Sequence, residues 1–107
     1  MRLAFIGGGV MARAIIAGLK DAGINADIIV GDPLEIQRKS LQDDLKVETT
    51  SSNKDAVSGA DIVVIAVKPQ QLDAIQVDLK SSLSERQTVL SIMAGVKMHT
   101  IGLKLEH

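Results

Sequence analysis

The run "DIVVIAV" at residues 61–67 places six apolar residues in a row behind one aspartate. A strand that is apolar at every position has two faces to cover, and helices on both sides of a parallel sheet are the usual cover. Four further runs have strand length: "RLAFI" (2–6), "DIIV" (27–30), "KVETT" (46–50) and "QTVLSI" (87–92). Helical spacing fills the gaps between them. Met11, Ile15, Leu19 and Ala22 share one face, Leu34 and Leu41 a second, and Leu72, Ile75 and Leu79 a third. The piece "SSNKDAVSGA" (51–60) reads as a loop with a short helix that Ala56 and Val57 can dock. This alternation predicts an α/β chain: a doubly wound parallel sheet of about five strands, connected by right-handed crossovers, with helices on both faces.

Length and composition agree with one such domain. A chain of 107 residues builds one hydrophobic core. With 46% hydrophobic and 23% charged residues and a formal charge of −1, the balance is that of a globular protein rather than a disordered or nucleic-acid-binding one. There is no cysteine and there are two histidines, which leaves no disulfide framework, no thiolate metal site and no His-rich site. No apolar stretch reaches signal-peptide length or the roughly 18 residues of a membrane span, so a cytoplasmic setting is expected. Phe5 is the sole aromatic residue, which implies an aliphatic core and excludes stacking platforms for bases. The final "LEH" (105–107) resembles an expression-tag remnant, so the domain is read as 1–104.

The chemistry is carried first by "FIGGGVMARAIIAGL" (5–19). Gly7, Gly9 and Ala12 satisfy G-x-G-x-x-G/A behind one predicted strand and at the mouth of a predicted helix, the context of a Rossmann-like dinucleotide fingerprint. Gly7 permits the tight turn, Gly9 lets the backbone approach a pyrophosphate, and Ala12 lets helix and strand pack closely. The N–H groups of Val10, Met11 and Ala12 would face the anion at the helix start. The bland alternative is a glycine-rich turn with no nucleotide.

Asp32, at the end of the second strand, lies about 20 positions on, where that fingerprint places an acid on the adenosine ribose. It is equally suited to cap the next helix, with Pro33 at the first helical position and Glu35 closing a capping box. A cofactor 2′-phosphate would meet the same helix start and Arg38 or Lys39, against the charges of Asp32 and Glu35. Both NAD and NADP remain candidates.

Taken together, "FIGGGVMARAIIAGL", "SNKD" (52–55), "DIVVIAVKPQ" (61–70) and "SIMAGV" (91–96) resemble the N-terminal domain of pyrroline-5-carboxylate reductase, from residue 1 to about residue 104. The resemblance implies an oxidoreductase that forms L-proline from 1-pyrroline-5-carboxylate with NADPH or NADH, the last step of proline biosynthesis. It implies pyrophosphate contacts from Gly7, Gly8, Gly9, Val10, Met11 and Ala12, and an adenosine-side contact from Asn53. Val67, Lys68 and Pro69 would meet the cofactor at the end of the fourth strand, and Ala94 and Gly95 after the fifth. Asp32 departs from the small polar residue frequent in that family and puts an NADP preference in doubt. The family's helical C-terminal domain, which forms the dimer and grips the imino acid, is absent from this chain; the fragment alone is expected to be inactive.

Hydride transfer asks the protein for positioning rather than for a nucleophile. The sequence has no G-x-S-x-G or H-E-x-x-H motif, and no metal site or catalytic residue is assigned. His99 is expected on the surface of a last helix starting near Met98, His107 in the tag remnant, and Met11, Met93 and Met98 in packing. The alternatives are a β-hydroxyacid-dehydrogenase-like reductase and a non-catalytic nucleotide-binding regulatory module. No nucleic-acid or membrane partner is expected, and the full-length protein of the resemblance is a homo-oligomer.

Overall fold

The computed structural model describes residues 1–67, 71–80, 82–92 and 99–100. Five parallel strands form the centre of a sheet: β1 (Arg2–Ile6), β2 (Asp27–Gly31), β3 (Glu48–Thr50), β4 (Ile62–Ile65) and β5 (Thr88–Ser91). A short strand β6 (His99–Thr100) pairs antiparallel with β5, and the spatial order is β3-β2-β1-β4-β5-β6. The helices are α1 (Val10–Asp21), α2 (Glu35–Leu45), α3 (Asn53–Val57) and α4 (Leu72–Lys80). The chain therefore builds outward from β1 to β3, then returns to place β4 on the other side of β1. The doubly wound sheet expected from the sequence is present, and its switch point lies between β1 and β4.

Strand pleating sends alternate residues into two separate cores. Leu3, Phe5, Ile28, Val30 and Val64 pack with Ala12, Ile16 and Leu41 of α1 and α2. Ala4, Ile6, Ile29, Val63, Ile65 and Val89 pack on the other face with Ala56 and Val57 of α3 and Leu79 of α4. The expected docking of Ala56 and Val57 is observed, and Val63 and Val64 fall in opposite cores as a doubly covered strand requires.

Several boundaries differ from the expectation. On α1 the fully buried residues are Ala12 and Ile16; Met11, Ile15 and Leu19 flank them half-buried, and Ala22 is the exposed C-cap. Leu19, Lys20, Gly23 and Ile24 close that helix end: the Ile24 N–H donates to the Leu19 carbonyl and the Gly23 N–H to that of Lys20, with Gly23 at φ +73°. This left-handed closure draws the chain off the helix axis one residue before the predicted face ends. Leu41 is buried but Leu34 is exposed, because Leu34 precedes α2 as its N-cap. Lys46 ends α2 in the left-handed conformation, so β3 begins at Glu48 rather than Lys46. His99 and Thr100, expected in a helix, form β6, where they supply backbone partners to the outer side of β5.

Candidate functional site

A cleft of about 600 Å³ opens at the carboxyl ends of β1, β2 and β4, at the switch point of the sheet. Ile6 and the loop Gly7, Gly8 and Gly9 line one wall, and Gly31, Asp32, Pro33 and Leu34 continue it beyond β2. Asn53 of α3, Ala66 and Val67 beyond β4, and Gln71, Ala74 and Ile75 at α4 complete it.

The three consecutive glycines differ in what surrounds them. Gly7 has φ +97°, its N–H donates to the Gly31 carbonyl at 2.8 Å, and a β-carbon there would lie 2.6 Å from the Ala66 carbonyl oxygen. A side chain is excluded twice, by torsion and by space. Gly8 is buried, and a β-carbon on it would stand 2.6 Å from Leu41 Cδ1 and 3.2 Å from Asp32 Oδ2. Gly9 is unlike both. Its backbone is extended, with φ −77° and ψ −163°, and among the described residues no atom beyond its chain neighbours lies within 4 Å of the place a β-carbon would take. None of those residues accounts for glycine at this position.

Beyond Gly9, α1 opens without a cap. The Arg13 N–H makes the first helical bond, to the Gly9 carbonyl at 3.0 Å, so the helix itself offers no carbonyl to the N–H groups of Val10, Met11 and Ala12. Gly9 brings no side chain to them, and the first turn contains no acidic residue. The positive end of the helix dipole is therefore left open beside the cleft. Ala12 is fully buried against the first core and packs the helix onto the sheet, as the fingerprint demands. Val10 turns its side chain to solvent and Met11 is half-buried, so any contact from these two runs through backbone N–H.

Asp32 does not cap α2 as one of the two sequence expectations had it. Its side chain is buried, Oδ2 accepts the Gly8 N–H at 2.8 Å, and Oδ1 accepts the Leu34 N–H at 2.9 Å. The capping box with Glu35 does not form: Leu34 is the N-cap of α2, no side chain caps it, and Pro33 lies outside the helix. Pro33 fixes the extended exit from β2, and the Asp32 carboxylate closes a tight turn onto Leu34 before the helix can begin. Arg38, considered for a 2′-phosphate, donates from Nη1 to the Asp32 carbonyl at 2.8 Å.

Asn53 is the first residue of α3, one past the N-cap Ser52, and its side-chain oxygen lies 3.1 Å from where a β-carbon of Gly31 would stand. The cleft thus brings together Gly7, Gly8, Gly9, Asp32, Asn53 and Val67 of the predicted residues. Lys68, Pro69, Ala94 and Gly95 lie outside the described residues. Sequence reasoning did not assign Ile6, Gly31, Pro33, Leu34, Ala66, Gln71, Ala74 and Ile75 to the walls; the available signal was their position at or just beyond the carboxyl ends of β1, β2 and β4. Among the described residues no group of three metal-ligating side chains gathers, and no helix is long and apolar enough to cross a membrane.

Comparison with known proteins places these features in a family. A pyrroline-5-carboxylate reductase of Pseudomonas aeruginosa is 40% identical over 96 residues, which is 89% of this chain and 35% of that protein. A solved pyrroline-5-carboxylate reductase from Coxiella burnetii superposes with a TM-score of 0.80 at 37% identity, over 89% of this chain and 36% of that one. A Plasmodium falciparum pyrroline carboxylate reductase with NADP bound superposes with a TM-score of 0.75 at 28% identity, over 99% of this chain and 37% of its own. The resemblance read from the motifs is borne out, and the chain spans about a third of the length of the curated relatives it matches. The family model described as NADP oxidoreductase, coenzyme F420-dependent, matches residues 2–95, a span that takes in the glycine loop, all five parallel strands and the walls of the cleft, and the chain belongs to that family.

Proposed function

We propose that this chain is the cofactor-binding part, residues 1–104, of a cytoplasmic reductase that converts 1-pyrroline-5-carboxylate to L-proline with reduced NADP or NAD. The observation that carries the reading is the open start of α1 behind Gly9, with a glycine that neither its torsions nor the described residues around it require. A pyrophosphate fits there, held by the N–H groups of Val10, Met11 and Ala12. The adenosine half would extend past Asp32 and Leu34 toward Asn53, and the nicotinamide half toward Val67. When bound, the reduced nicotinamide supplies the hydride; the chain's own task is to hold it in one orientation and exclude water from one of its faces. The relatives' names support the imino-acid substrate, and in this reading the residues that grip it are supplied by the length of those relatives that this chain does not match.

Titrating the chain with NADH and NADPH, read by the emission of the reduced cofactor, tests the reading. Saturable binding of at least one is expected, without cofactor oxidation when pyrroline-5-carboxylate is added. Absence of binding by both at millimolar concentration would reduce the chain to a fold without its ligand, and sustained oxidation would overturn the division of labour between the two parts.

A further inference from the structure

We infer that Asp32 is a positioning residue for the glycine loop: its carboxylate ties Gly8 to the turn after β2, and so aims the open N–H groups of α1, rather than selecting between dinucleotides at the ribose. The binding half of this inference rests on the proposed function.

Three observations carry it. Each carboxylate oxygen already accepts a backbone N–H, Oδ2 from Gly8 at 2.8 Å and Oδ1 from Leu34 at 2.9 Å, and the residue is only 5% exposed. Bonds from N–H to an ionised carboxylate are among the stronger ones in proteins, and a buried carboxylate that lost them would be costly. Second, the main chain of Asp32 is itself fixed. Its N–H donates to the Thr50 carbonyl at 3.0 Å and its carbonyl accepts from Arg38 Nη1 at 2.8 Å, so the tether hangs from a held point. Third, Gly8 is seated so close to that carboxylate and to Leu41 and Val30 that a side chain there would push on all three, with hypothetical β-carbon distances of 3.2, 2.6 and 3.2 Å. Position 8 is a free position in G-x-G-x-x-G/A, so its glycine belongs to the tether and not to the motif.

The consequence concerns which dinucleotide feels the loss of Asp32. With the Gly8 N–H turned inward onto Oδ2, the loop enters α1 in one direction beside the cleft that Gly9 lines, and the start of the helix needs no further ordering to meet an anion. NADH and NADPH carry the same pyrophosphate and differ at the 2′ position. Loosening the loop therefore weakens both alike, whereas removing a ribose ligand would weaken NADH and spare or favour NADPH.

The test combines local amide exchange with cofactor titration in the 107-residue chain and in Asp32→Asn, whose amide nitrogen cannot accept an N–H. In the unaltered chain the Gly8 amide is expected to exchange at least about tenfold more slowly than that of Val10; equal rates would overturn the tether whether or not the variant folds. In Asp32→Asn one acceptor oxygen is left for the N–H groups of Gly8 and Leu34, so at least one of these two amides accelerates by about tenfold while Val30 and Val64 keep their protection, and both dinucleotides weaken by a similar factor of about ten, their ratio moving less than about twofold. Loss confined to NADH, or a gain for NADPH, would overturn the inference in favour of a direct ribose contact. Should the unaltered chain bind neither dinucleotide, the functional reading fails, and the Gly8 exchange rates still decide the tether.

Discussion

Of the helices that start at the carboxyl end of the sheet, α1 after β1 and α3 after β3 start in opposite ways. Ser52 caps α3, its hydroxyl accepting the Asp55 N–H at 3.3 Å, and Asp55 adds a negative charge in the first turn. The start of α1 has neither a capping side chain nor an acid. A five-residue helix is given every local aid, while a twelve-residue one is left with its donors open. The longer helix can forgo a cap because Ala12 and Ile16 anchor it in the core. The donors withheld from a cap are the ones available to an anion.

This contrast can be broken most severely at Gly7. Gly7→Ala forces a β-carbon against the Ala66 carbonyl at a left-handed torsion, and a loss of about 3 kcal/mol in chemical denaturation, or outright failure to fold, is expected. Gly9 provides the sharper instrument, since the same kind of change there meets open space. Gly9→Asp should hold stability within about 0.5 kcal/mol, with a slight gain from capping, yet weaken NADH and NADPH by about a hundredfold in titration, because the new carboxylate occupies the anion's place. An unchanged affinity would mean that the anion does not rest on α1. The smallest effect belongs to the closed helix. Ser52→Ala should lower the unfolding free energy by about 1 kcal/mol and leave dinucleotide affinity within about twofold, so that stability and binding separate between the two helix starts.

How much of this was legible in the sequence depended on the range of the cause. The strands were readable because burial on both faces leaves an unbroken apolar run, as in Val63, Val64 and Ile65, and the loop was readable because Gly7, Gly9 and Ala12 recur at the fingerprint's fixed spacing between a strand and a helix. The role of Asp32 was not. Local chemistry offers it a helix cap four residues wide; of its two actual partners Leu34 is local, but Gly8 is 24 positions away and comes within reach only when β2 lies beside β1. The phase of α1 was misjudged by one residue because Met11, Ile15 and Leu19 are more hydrophobic than Ala12, whereas close helix-to-sheet contact selects the smaller side chain for the centre. β6 has two residues, too few for any periodicity, and its existence depends on the edge that β5 leaves.

Leu41 lies in the middle of α2, outside the cleft, yet its δ-methyl stands 2.6 Å from where residue 8 would carry its first side-chain carbon. Positions 8 and 41 thus contend for one volume. Enlarging residue 8 must displace the end of the Leu41 side chain, so the effect of a substitution in the loop depends on what stands in the interior of a neighbouring helix.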